Sequence, residues 1–159
     1  MNKKKKLVLG LGNTILTDDG VGIYVAREIA KIVDNTDVVV EEAGIGGLEI
    51  LEIIAGYQEV TIIDAMTTGQ HSPGTLFKVA IEDLKGGAAF DRHHISLKEA
   101  VDLGMGLEMD LPDEIVIYGI EIQPVREFGE KCTPDIEKCI PEIVKKIIKE
   151  NSLASDMIK

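Results

Sequence analysis

The chain has 159 residues, 45% of them hydrophobic and 28% charged, a balance that fits one globular domain with its own core and excludes wholesale disorder. Lys+Arg number 17 against 28 Asp+Glu, for a net charge of −11, and such a chain repels phosphate backbones, so no nucleic-acid partner is expected. No apolar run approaches the ~18 residues of a membrane span, so no membrane partner is expected either.

The chain opens with four lysines, Lys3 to Lys6, before the apolar Leu7-Val8-Leu9. That run is too short for a signal peptide, so residues 1–6 read as a solvated leader and a cytoplasmic location is expected. Leu7 to Leu11 reads as a buried strand. Val21, Val25, Ile29 and Ile32 recur at helical spacing and predict a helix over Val21 to Val33. Val38-Val39-Val40 predicts a second strand. Gly46-Gly47 opens a second helix, with Leu48, Leu51 and Ile54 or Ala55 on one face. Glu59 to Ala65 predicts a third strand, and Pro73-Gly74 a turn into a short fourth strand over Thr75 to Val79. Ile95 to Leu103 predicts a third helix, and Glu114 to Ile122 a fifth strand. Thr133-Pro134 reads as a cap with proline at the first helical position. Ile140, Ile143, Val144, Ile147 and Ile148 then mark an amphipathic helix, with Pro141 as a kink or restart. Residues 151–159 lose the periodicity and read as a frayed tail.

The order β-α-β-α-β-β-α-β-α predicts a single α/β domain over residues 1–159. A mostly parallel five-stranded sheet is covered on both faces, a three-layer α/β/α sandwich, with one strand antiparallel at an edge. Cys132 and Cys139 are the only cysteines. One helix carrying both would hold them roughly 10 Å apart, too far for a disulfide, so they read as reduced core residues.

In such a sheet, ligands bind beyond the carboxyl ends of the strands. Gly10-x-Gly12 after the first strand suggests a dinucleotide site. Ile15 occupies the third glycine position, and Asp18 and Asp19 would face a pyrophosphate, so that reading fails on its own terms. Asp19, Asp64 and a histidine of His93-His94 would all come from the same end of the sheet. Two carboxylates and an imidazole suit a borderline divalent ion with open positions. Each residue also has a plain reading: Asp18 or Asp19 as a helix cap, Asp64 as a turn former, the histidines as solvated side chains.

The string from Leu9 to Gly22, LGLGNTILTDDGVG, resembles the opening of the [NiFe]-hydrogenase maturation endopeptidases. The resemblance continues through Gly44-Ile45-Gly46-Gly47-Leu48, Ile62-Ile63-Asp64-Ala65 and Pro73-Gly74-Thr75-Leu76. It runs on through His93 to Ala100, Tyr118 to Pro124 and Thr133-Pro134, covering about residues 7–149. It implies an endopeptidase that removes a C-terminal extension from a hydrogenase large-subunit precursor after nickel insertion. It places the family's nickel-contacting acids on Asp19 and Asp64 and its histidine on His93 rather than His94. These three are then both catalytic and metal residues, with nickel delivered in the substrate and zinc or cadmium able to substitute. Glu41-Glu42-Ala43-Gly44 departs from the family's acid-and-glycine pattern, outside that set.

Gly44, Gly46 and Gly47 cluster after the second strand, where glycine lets a substrate chain approach closely; the plain reading is a strand-to-helix turn. The sequence carries no H-E-x-x-H motif, serine nucleophile elbow or Cys/His dyad. That suits a protease whose metal arrives with its substrate. The expected partner is the [NiFe]-hydrogenase large-subunit precursor, and the protein is expected to act as a monomer. The alternative is a non-proteolytic chaperone that checks nickel on the same scaffold.

Overall fold

The computed structural model describes residues 4–44, 48–83 and 92–154, with the backbone alone for residues 4, 5, 48 and 92–97. The strands are β1 (Lys4–Leu11), β2 (Val38–Ala43), β3 (Tyr57–Met66), β4 (Leu76–Val79) and β5 (Glu114–Glu121). The helices are α1 (Val21–Ile32), α2 (Leu48–Ile54), α3 (Arg92–Gly106), α4 (Pro134–Glu137) and α5 (Ile140–Asn151). The sheet order is β2-β1-β3-β5-β4. β1 pairs parallel with β2 and β3, and β3 parallel with β5. β4 follows β3 through a turn with no helix between, and it pairs antiparallel with β5 at the edge, as predicted.

Strand alternation divides the core into two layers. Val8, Ile63, Ala65, Tyr118 and Ile120 pack with α1 and α5. Leu7, Leu9, Leu11, Ile62, Met66 and Ile117 face the other way, with Ile50 and Ile54 of α2 and Val101 of α3. Helices therefore cover both faces, and parallel strands buried on both sides read as continuous apolar runs.

The helix α1 lies unusually close to the sheet. A Cβ on Gly22 would sit 2.3 Å from the Ile63 carbonyl oxygen and 2.6 Å from that of Leu11. The missing side chain lets the first turn of α1 rest on the ends of β1 and β3.

Several boundaries differ from the sequence reading. The first strand reaches back to Lys4, so Lys4 to Lys6 are part of the sheet. Lys6 donates from Nζ to the Asn151 carbonyl at 2.7 Å; backbone pairing needs no apolar side chain. Helix α3 begins at Arg92 rather than Ile95. The final helix restarts at Ile140, one residue before Pro141. After α5, Ser152 adopts a left-handed cap at φ 51° and turns Leu153 and Ala154 into the core. The expected frayed tail is thus buried as far as residue 154, and residues 155–159 lie outside the described residues.

Candidate active site at the carboxyl end of the sheet

Glycine again sets the geometry where β1 ends. Gly12 has φ 149°, and a Cβ there would lie 2.3 Å from the Asp19 carbonyl oxygen. The chain then folds back through a 3₁₀ turn, Thr17–Gly20, which packs against β3. Neither acid of this turn caps α1, whose N-cap is Gly20. Asp18 turns inward. The Thr133 amide donates to its Oδ1 at 2.7 Å and the Thr133 hydroxyl to its Oδ2 at 2.9 Å. Thr133 is the N-cap of α4 but makes no side-chain bond to that helix, because its hydroxyl is spent on Asp18. Asp19 is half-buried, and the Asn13 amide donates to its Oδ2 at 3.1 Å.

The segment bearing both acids is pinned to the chain ahead of α4. Leu16 bridges Gly129. The Thr17 amide donates to the Gly129 carbonyl and the Gly129 amide to that of Ile15, both at 2.9 Å. The Tyr24 hydroxyl donates to the Thr14 carbonyl at 3.1 Å and also reaches the Glu130 carbonyl. Asp19 is therefore held on a braced turn rather than a free loop, as a preorganised site requires.

Asp64 lies near the end of β3, one strand over. Its neighbours in the alternation, Ile62 and Met66, face the α2/α3 layer, so Asp64 faces that layer too. His93 is the second residue of α3, in the same layer; the side chains of His93 and His94 lie outside the described residues. Among the described residues, no group of three or more His, Cys, Asp or Glu could hold a metal ion. Gly44 follows β2 directly and is exposed, and a Cβ on it would meet only the Gly12 carbonyl, at 3.7 Å. Gly46 and Gly47 lie outside the described residues.

The buried acids among the described residues are Asp18, Asp64 and Glu121, at 8%, 5% and 2% exposure, and all sit at this end. Burying a carboxylate is costly unless donors reach it. Glu121, which the sequence reading left without a role, accepts from the Thr68 amide at 2.9 Å, the Gly69 amide at 3.1 Å and the Thr68 hydroxyl. Its signal in the sequence was only its place at the end of a strand.

A pocket of about 340 Å³ opens beside Asn13, lined by Gly12, Thr14, Ile23, Glu42, Ala43 and Gly44. Arg27 grips Glu42 from Nε at 2.9 Å and from a terminal nitrogen at 2.8 Å. That pair of bonds holds the Glu42 carboxyl below its ordinary range. A larger groove of about 610 Å³ lies between α1 and α5, on the opposite face from Asp64, and none of the candidate residues lines it. The small pocket reaches the candidate residues through Gly44 and through Asn13, whose amide holds Asp19.

A braced acid on the first loop, a buried acid on the central strand and the start of α3 stand at the carboxyl end of an α/β sandwich. The family model described as hydrogenase maturation protease matches residues 23–150, and the chain belongs to that family, whose members are endopeptidases. The hydrogenase 2 maturation protease of Escherichia coli strain K12 is 24% identical over 147 residues, covering 89% of this chain and 87% of the relative. A solved structure of a hydrogenase-maturating endopeptidase from E. coli superposes with a TM-score of 0.81 at 20% identity, covering 94% of this chain and 95% of the other. The structure of a [NiFe] hydrogenase maturation protease from Thermococcus kodakarensis superposes at 0.71 with 22% identity, covering 92% of each chain. These likenesses establish the fold. The matched family range begins after Asp19. No helix among the described residues is long and apolar enough to cross a membrane.

Proposed function

We propose that this protein removes the C-terminal extension of a [NiFe]-hydrogenase large-subunit precursor, and that the nickel already in the precursor meets Asp19, Asp64 and His93. Family membership supports the protease class. The observation that carries the site is the concentration of buried and braced carboxylates at one end of the sheet. Two carboxylates and an imidazole offer oxygen and nitrogen donors to a borderline divalent ion and leave positions for the ligands it brings. Nickel held by the substrate would supply Lewis-acid polarisation of the scissile carbonyl.

The chain's own residues bind and orient. The Asn13 amide fixes the direction of the Asp19 carboxylate. Asp64, deep at the strand end, is shielded from bulk water, where its charge acts in a lower dielectric. One of the two carboxylates can take the proton of an attacking water. The substrate chain reaches them past Gly44, where the backbone is bare.

The test is processing of a nickel-loaded precursor, read by intact mass, with a panel of variants. Asp19→Ala, Asp64→Ala and His93→Ala should each abolish the mass loss, and His94→Ala should be milder. Full activity in Asp64→Ala would remove the ligand set. Tight binding of the loaded precursor without any cleavage by the wild type would establish the checking chaperone instead.

A further inference from the structure

Three residues form a row across the sheet. Asp64 of β3 pairs with Gly119 of β5, and Gly119 pairs with Phe77 of β4. Adjacent strands lie ~4.8 Å apart, which puts the Phe77 and Asp64 backbones roughly 10 Å apart. Phe77 packs in the same α2/α3 layer that Asp64 faces. Gly119 between them has no side chain, and the space is taken from both sides. A Cβ there would be 2.6 Å from Cζ of Phe77 and 2.7 Å from the Met66 sulfur. The Phe77 ring therefore leans over Gly119 toward the Asp64 strand.

The imidazole of His71 stacks on that ring, with centroids 4.3 Å apart and planes inclined by 21°. His71 is exposed. The loop that carries it is tied down at both ends by one residue. The Glu121 carboxylate takes the Thr68 and Gly69 donors on the incoming side. On the outgoing side, the Gly74 amide donates to the Glu121 carbonyl at 2.7 Å and the Glu121 amide to the Thr75 carbonyl at 2.9 Å. A histidine on a free loop is usually just solvated. This one is stacked, on a loop anchored to a buried charge, at the end of a row that leads to Asp64.

We propose that His71 contacts the substrate peptide at the rim of the cleft, and that Glu121 is the positioning residue that holds it there. The proposal rests on the protease reading above and adds a specificity element to it. An imidazole presents a ring nitrogen that can donate to, or accept from, the backbone of an extended peptide. Stacking on Phe77 fixes the plane of this exposed ring, so less freedom is lost on binding.

The experiment measures cleavage of nickel-loaded precursor by wild type, His71→Ala, Glu121→Gln and the double variant, with thermal melts alongside. His71→Ala should raise KM about fivefold or more with kcat within about twofold, as loss of uniform binding does, and leave the melt unchanged. Glu121→Gln should raise KM comparably. The double variant should be no worse than the more affected single variant, because Glu121 acts through His71. If Glu121→Gln does not fold, Thr68→Val leaves the Glu121 carboxylate in place, removes the hydroxyl contact to it together with the bond that hydroxyl accepts from the Gln70 amide, and serves in its place. A wild-type KM in His71→Ala overturns the contact, and additive effects in the double variant overturn the positioning role. A wild type that cleaves no loaded precursor sinks the protease reading and this inference together; an active wild type with an indifferent His71→Ala sinks this inference alone.

Discussion

Asp18 and Thr133, 115 residues apart, are joined by two hydrogen bonds, one from the amide and one from the hydroxyl of Thr133. The link ties the loop of the candidate site to the start of α4 and separates the roles of two adjacent acids. Asp18→Ala should cost about 2–3 kcal/mol in urea unfolding, since it removes two bonds to a charged acceptor and orphans an amide. Asp19→Ala, at a half-buried position, should cost about 1 kcal/mol or less yet abolish processing. Equal stability losses in the two variants would contradict that division.

Gly22 and Gly44 should respond oppositely to alanine. At Gly22 the new methyl would strike the Ile63 and Leu11 carbonyls, pushing α1 off the sheet at a cost of about 2–3 kcal/mol. At Gly44 the nearest atom is 3.7 Å away, so the melting temperature should stay put. If substrate passes over this backbone, Gly44→Ala should raise KM. Normal cleavage together with a normal melt would leave Gly44 as a plain turn residue.

All three tyrosines have raised pKa values. Burial is the main cause at each. The Glu150 carboxylate, 2.6 Å from the Tyr118 hydroxyl, adds to it there while Asn151 opposes. Cys132 adds to it at Tyr24, and Glu41 at Tyr57. A raised folded-state value favours the neutral phenol. The stability it contributes is complete below the unfolded value, about 10, and is lost as pH rises through the folded values. Tyrosinate absorbance should therefore lag in native protein relative to urea-unfolded protein, and urea midpoints should fall above pH ~10. Tyr118→Phe should flatten that fall. Superimposable native and unfolded titrations would contradict the burial.

Cys132 is pushed up to about 12, first by burial and then by the Asp18 charge. A thiol held protonated is a poor nucleophile. At mildly alkaline pH, alkylation should mark Cys139, which is half-buried, and spare Cys132 until urea is added. Mass spectrometry of the digested protein distinguishes the two sites.

The sequence exposes what depends on neighbours along the chain. Ile62-Ile63 before Asp64 marks a buried strand ending in an acid, and Ile140 to Ile148 marks one face of a helix; both stand in the structure as read. What depends on distant partners was hidden. Asp18 and Asp19 look alike until Thr133 claims the first. Glu121 looks like an exposed strand end until Thr68 and Gly69 converge on it. Lys6 enters the sheet because Asn151 and Glu59 meet its ammonium group. Leu153 is buried by a left-handed turn at Ser152, which no helical periodicity encodes. His71 draws its place from a ring six residues on and a glycine in another strand.

The most direct measurement compares a nickel-loaded precursor with a rigorously nickel-free one. Each is incubated with excess purified enzyme and followed by intact mass. If nickel in the substrate completes the site at Asp19, Asp64 and His93, the loaded form loses its C-terminal extension in a single cut and the nickel-free form stays whole. Efficient cleavage of the nickel-free precursor would place recognition in the peptide or its fold and contradict the account.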